Sequence, residues 1–458
     1  MPRRRYANLD GLRAIAALAV MVEHMFGDLL RQAPAPTGPM STLAQSVVQN
    51  LSLGRFGVAL FFLISGFVVP FSIDGVRPLR HFAISRLFRL YPALWLALLV
   101  LTTTAWLSGD TPRAATLLAN MTMAPPLFGQ PWLSTIYWTL FIELLFYVLV
   151  ALLFSAGALR HVGVLLILSL ALIAATVLPV QLRVHGVGNL PIQYLGLHLS
   201  FLFLGLLLRL WLVERMRGAG LSALALGLVQ LVAVLSVSQF SLARGDNFIM
   251  EGLKPVLSAY VLAFAVFLAA VKLDRPHSVL LARIGLISYA MYLFHGALNA
   301  LVYRFLPLTG QLGDIATMLV CTGSTLTVSW LVYRSVERPM IEFGRRISTK
   351  HSAPAAPAWP HRDAFHGRSE AKGGLPGFST GIRGPMLHPA PDSRGVGHGL
   401  ASARETGLPL FDMAVDAERD ETGSDKVVGA ILGIVIAAVT LSWFALLGYV
   451  GWKIAETL

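Results

Sequence analysis

The stretch LDGLRAIAALAVMVEHMFG, residues 9–27, sets Arg13, Glu23 and His24 in an apolar run long enough to cross a bilayer. A charge at the centre of such a helix costs about 2.5–3.5 kcal/mol on insertion scales, so these groups are expected to face a protein interior or a cavity. Arg13 and His24 are eleven residues apart. At 3.6 residues per turn they return to nearly one helix face, separated by ~16 Å along the axis. A neutral histidine at that depth suits proton transfer, or else a core site bonded to a carbonyl of a neighbouring helix. A second rare group, Glu143, stands in WTLFIELLFY, residues 138–147. Helix rise puts His24 roughly 10 Å and Glu143 roughly 13 Å below the same membrane surface. The expectation is therefore a dyad in which the carboxylate orients the imidazole as general base toward a hydroxyl. Glu23 is a rival partner, and an ion pair that only ties helices together is the bland alternative.

Further along, RHFAISRLFRLYPALW carries Arg86 and Arg89 three residues apart, on one helix face at a membrane border. Two guanidinium forks there can clamp phosphates, or serve simply as topology anchors. The segment ISYAMYLFHG places His295 at about mid-depth of a span, and VERP reads as a Glu337–Arg338 pair with Pro339 stopping the helix. In GRFGVALFFLISGFVV, Ser65 and the glycines permit close helix packing or leave space for a ligand.

The elements that must hold these residues are legible from hydropathy. The chain has 458 residues, 55% hydrophobic and only 13% charged, a composition of a polytopic all-α membrane bundle rather than a soluble domain. Apolar runs fall at about 11–30, 55–73, 91–108, 134–155, 162–179, 193–212, 220–240, 255–271, 284–306 and 314–334, predicting ten core spans. With the N-terminus inside, the richer basic clusters, from Arg77–Arg89 through Arg215 and Arg217 to Arg345 and Arg346, all fall on the cytoplasmic side. The net charge of +12 is thus an orientation signal and not a nucleic-acid surface. The N-terminal MPRRRYANLD resembles a signal-peptide flank, but the long ionisable run after it reads as a retained first helix. A single cysteine, Cys321, and twelve scattered histidines without a ligand-spaced set predict no metal site.

Residues 1–346 therefore read as the membrane core, and 347–425, rich in Pro, Gly, Ser and Ala, as a disordered cytoplasmic linker. Residues 426–458 hold an eleventh span, whose GAILG is a GxxxG pattern compatible with self-association or with a plain anchor.

Taken in order, LDGLRAIAALAVMVEH, GRFGVALFFLISGFVV, RLFRLYPALW, WTLFIELLFY, ISYAMYLFH and VERP resemble the acyltransferase-3 family of bacterial integral-membrane acyltransferases, over about residues 8–345. By that resemblance Arg13 and His24 occupy the family's arginine, ten residues, histidine motif. Arg86 and Arg89 stand at its arginine pair, and Glu143 at its fourth-span carboxylate. The tail departs from members that end in a periplasmic hydrolase-like domain. The resemblance implies a multi-pass protein of the bacterial inner membrane, with its N-terminus in the cytoplasm. It would move an acyl group, acetyl by family habit, from cytoplasmic acyl-CoA (acetyl-CoA) to a hydroxyl of a carbohydrate or glycolipid acceptor. His24 and Glu143 would be catalytic, Arg13, Arg86 and Arg89 donor-binding, and Asp10, Ser65, Tyr147 and His295 supporting. Direct attack and a transient acyl-histidine are alternative routes. Two other classes stay open, a secondary transporter and a structural subunit of a polysaccharide assembly complex.

Overall fold

The computed structural model describes residues 7–349, apart from 33, 35, 74–76, 108, 186–193, 245–251 and 273–277. The chain divides into two units, 1–356 and 357–458; every described residue lies in the first. The expected linker and eleventh span lie outside the described residues, apart from the linker's first three positions.

Among the described residues fourteen α-helices follow one another: α1 Ala7–Leu30, α2 Pro39–Asn50, α3 Leu53–Val68, α4 Pro78–Leu107, α5 Ala114–Met121, α6 Trp138–Ser155, α7 Val162–Val184, α8 Leu195–Leu212, α9 Ala219–Arg244, α10 Leu253–Lys272, α11 Val279–Leu286, α12 Ser288–Tyr303, α13 Asp314–Val332 and α14 Arg338–Thr349. There is no strand among the described residues. In hydrocarbon a helix satisfies its backbone polar groups internally, which is why the apolar runs take this form.

Eight of these spans are long and apolar enough to cross a membrane, and α11 with α12 forms a ninth, bent by 69°. At 24 residues α1 is equally long, but Asp10, Arg13, Glu23 and Asp28 keep it outside the set that length and apolarity select. Its position explains that composition, because α1 packs against α3, α11 and α12. These eight or nine candidate spans, with α1 packed among them, make a polytopic helical bundle.

Close approaches set the helix spacing. A Cβ on Gly66 would lie 1.8 Å from the Leu202 carbonyl oxygen, so only glycine lets α3 and α8 meet there. The same holds for Gly285 of α11, where a Cβ would come 1.9 Å from the Asp10 carbonyl oxygen. In the second span Gly57 and Gly66 thus serve close packing, whereas Gly54 and Ser65 border cavities, so both readings of that stretch are used.

Two expectations are corrected. The third span does not begin after the arginine pair: α4 starts at Pro78 and runs 30 residues, with Pro92 inside it. Arg86 and Arg89 are therefore helical residues two to three turns into α4, tolerated because their heads meet protein groups instead of lipid. Nor does Pro339 stop the last helix. A π-helical turn, Tyr333–Glu337, carries α13 into α14 as one helical run, Asp314–Ser348, and Pro339 lies inside that run just past the widened turn, where the irregular hydrogen-bond ladder accommodates a residue without an N–H. Arg338 pairs with Glu342 at 2.9 Å and not with Glu337, which is 4% exposed.

Candidate active site

Two cavities lie end to end in the bundle. The larger, of about 510 Å³, is lined by Glu23 and His24 of α1, the start of α3, the segment leading into α6, and the start of α8. The smaller, of about 80 Å³, is lined by Arg13, Ser65, Arg89, Glu143 and Tyr289 among others. Val58, Phe62 and Tyr292 line both, so these three side chains form the partition. Arg13 and His24, on nearly one face of α1, thus open into different chambers, as their axial separation requires.

The partition is braced. The Tyr292 hydroxyl donates to the Ile136 carbonyl at 2.8 Å and lies 2.8 Å from Thr139 Oγ1. Its ring meets Phe61 edge-on at 6.1 Å between centroids. Tyr137, one residue before α6, donates to the Leu293 carbonyl at 2.9 Å and so ties the start of α6 to α12.

His24 and Glu143 are not paired. Glu143 Oε1 accepts from Ser65 Oγ at 3.1 Å and from the Tyr147 hydroxyl at 2.5 Å. His24 Nδ1 instead lies 2.9 Å from the Val20 carbonyl oxygen and 3.2 Å from His295 Nε2. Helix rise placed the two groups at similar depth, but depth says nothing about which way a side chain turns about its helix axis. Glu143 turns toward α3 and its own next turn, and α12 supplies the neighbour of His24. Glu23, the rival partner, accepts from the Leu53 amide at 3.0 Å, which ties it to the start of α3.

The remaining expected residues divide between the chambers and their supports. Asp10 lies 3.7 Å from Arg13 and holds it from the preceding turn. Arg89 faces the smaller cavity with Arg13 and Glu143. Arg86 donates to Ser72 Oγ at 2.9 Å and lies over the rings of Phe82 and Tyr147, 5.4 and 5.5 Å from their centroids. The arginine pair is thus split: Arg89 lines a chamber, while Arg86 is set in an aromatic bracket beneath Glu143's partner Tyr147. Ser65 and Tyr147 support Glu143, and His295 supports His24.

Sequence reasoning missed His198 and Trp138 and gave Glu337 another place. His198 lines the larger cavity, its ring 4.7 Å from Trp138 and 6.1 Å from Phe62. A histidine inside the apolar run LGLHLSFLFLG was the available signal. Glu337, expected from VERP at an interfacial pair, is buried in the π-helical turn and lies within electrostatic range of Arg89. Among the described residues no three His, Cys, Asp or Glu side chains gather as a metal site.

The arrangement offers one chamber with two guanidinium groups and a carboxylate, and another with aromatic walls and an imidazole. Comparison with known proteins matches residues 6–334 to a family model described as an acyltransferase domain. The chain is also 28% identical to the exopolysaccharide production protein ExoZ of Rhizobium meliloti (strain 1021) over 317 residues, covering 66% of this chain and 94% of that protein. No solved structure matches it.

Proposed function

The chain belongs to this acyltransferase family, and on that premise we propose that it moves an acyl group, acetyl in the first instance, from cytoplasmic acyl-CoA to a hydroxyl of a cell-surface or lipid-linked carbohydrate. The observation that carries the reading is the pair of chambers divided by Val58, Phe62 and Tyr292. The smaller lies toward the α1 N-terminus, the cytoplasmic end in the orientation the basic clusters favour. Arg13 and Arg89 there present donors suited to the anionic part of the donor or its thioester oxygen. The pantetheine arm is comparable in length to the ~16 Å between Arg13 and His24, so a donor held at the inner end delivers its thioester to the partition.

The larger chamber suits an acceptor. Its walls include Trp132, Trp138, Phe141, Tyr194 and Tyr260, with Glu23, Arg55 and His198 as polar groups. Broad apolar rings with a few placed polar atoms are what a cavity of this size uses to orient a ligand. A sugar ring presents apolar C–H faces to such rings and its hydroxyls to the polar atoms. The name of the relative, an exopolysaccharide production protein, supports a saccharide acceptor.

In the reaction His24 takes the proton of the acceptor hydroxyl as that oxygen attacks the thioester carbon. The C–S bond breaks, the ester forms, and the proton passes to the departing CoA thiolate. Glu143, with Ser65 and Tyr147 fixing it, sets a carboxylate in the donor chamber that Arg13 and Arg89 also line.

The test uses the full-length chain in liposomes with acetyl-labelled acetyl-CoA and an oligosaccharide acceptor. Acceptor-dependent release of free CoA with label on the saccharide is expected. Label that crosses the bilayer without release of CoA would assign the protein to transport instead.

A further inference from the structure

His24 has two ring nitrogens, and its hydrogen-bond partners decide which one carries the proton. His295, on α12, is 1% exposed. Its Nδ1 lies 3.0 Å from the Met291 carbonyl oxygen. A carbonyl only accepts, so a neutral His295 carries its single proton on Nδ1 and leaves Nε2 with a lone pair. That lone pair lies 3.2 Å from His24 Nδ1. On its other side His24 Nδ1 is 2.9 Å from the Val20 carbonyl oxygen, a second pure acceptor. Both neighbours demand a hydrogen from His24 Nδ1, and a neutral ring has one to give. The only assignment that satisfies every contact puts it there, shared between the two acceptors. Nε2 is then unprotonated, and it has no hydrogen-bond partner among the described residues.

We infer that His295 is the positioning residue of the acyl-transfer site: its Nε2 locks His24 in the Nδ1–H tautomer, so that His24 Nε2 is the base presented to the acceptor hydroxyl. The inference rests on His24 being the base, as proposed above, and assigns the orienting role expected of Glu143 to a neutral imidazole from another helix. Such a chain, carbonyl to imidazole to imidazole, needs no buried carboxylate beside the base. During attack the hydroxyl proton moves to His24 Nε2, and the charged ring keeps its Nδ1–H directed at His295 Nε2 and Val20 O. His295 does not take that proton, because its own Nδ1–H is committed to Met291 and a second proton would leave a charge on a ring that is 1% exposed. The proton returns from His24 Nε2 to the CoA thiolate.

Two amide substitutions separate this role from a structural one. In His295→Gln the terminal amide oxygen can occupy the place of Nε2 and accept from His24. In His295→Asn the shorter amide can occupy only the place of Nδ1 and donate to Met291. A residue that merely anchors α12 would tolerate Asn better than Gln. The inference predicts the reverse: kcat falls about 100-fold or more in Asn, stays within about tenfold of wild type in Gln, and donor KM is unchanged in both. Equal losses in the two variants, or Asn the more active, would overturn it.

The tautomer is also read without turnover. In the full chain carrying ring-¹⁵N histidine, the His24 signals, identified by their loss in His24→Ala, should show a protonated Nδ1 and a bare Nε2. In His295→Asn the second tautomer should appear. A bare Nδ1 in the wild type would overturn the inference even if acyl transfer is demonstrated. The expected tautomer in a chain that transfers no acyl group would instead overturn the proposed function alone.

Discussion

Phe62 and Tyr292 line both cavities and, with Val58, stand between the two chambers. Tyr292 is held by bonds to Ile136 and Thr139, whereas Phe62 is held by packing, its ring meeting His198 edge-on at 6.1 Å. Phe62→Ala should join the chambers and admit water to the thioester. Acyl-CoA hydrolysis without acceptor should then rise relative to transfer, by about tenfold or more if a direct path opens. A ratio unchanged from wild type would mean that the partition lies elsewhere.

Glu143 and His24 share no hydrogen-bond partner, so their substitutions should act on different steps. His24→Ala should lower kcat about 100-fold or more and leave donor binding intact. Glu143→Gln should chiefly raise the KM for acyl-CoA, since it disturbs the chamber of Arg13 and Arg89. In the double variant the effects should multiply, as they do for separate sites. Steady-state kinetics of the four proteins decides this; a double variant no worse than His24→Ala would restore the dyad.

The arginine pair should divide in function as it divides in space. Arg89→Ala should raise the KM for acyl-CoA about tenfold or more, the loss of one charge-assisted hydrogen bond, with little change in thermal stability. Arg86→Ala should instead lower the melting temperature of the detergent-solubilised protein, because it empties the bracket of Phe82 and Tyr147 and removes the bond to Ser72. Arg86→Lys should not restore it, since an ammonium cannot stack as a planar guanidinium does. Equal effects of both alanine variants on donor KM would argue for a joint phosphate clamp.

At the α3–α8 crossing, Gly66→Ala should destabilise the bundle by about 1–3 kcal/mol, the usual range for overpacking, because its Cβ would overlap the Leu202 carbonyl. Gly323→Ala, where a Cβ meets nothing within 4 Å, is the matched control. Thermal unfolding in detergent should separate the two variants. A Gly66→Ala protein as stable as the control would show that the helices can move apart without loss.

Helix existence and order were determined by the sequence, because the requirement for about 20 apolar residues per span is a property of the chain read locally. The same locality made Arg13 and His24 legible as a pair on one face, since the helical period relates them without reference to any other element. Partnership was not legible. His24 meets a residue 271 positions away, and Glu143 meets Ser65 across 78. Their depths, computable from helix rise, were compatible with each other and still led to the wrong pairing. What chooses a partner is the rotation of each helix about its axis, and that is fixed by how whole faces pack, by contacts such as Gly66 on Leu202 and Gly285 on Asp10. Burial of Glu337 likewise depends on a π-helical turn, Tyr333–Glu337, after which α14 continues past Pro339, which local propensity argues against and the packing of α14 on α4 sustains. Hydropathy is a sum over one segment, whereas a side chain's neighbour is a property of several segments at once, so the first was available in the sequence and the second only in the folded bundle.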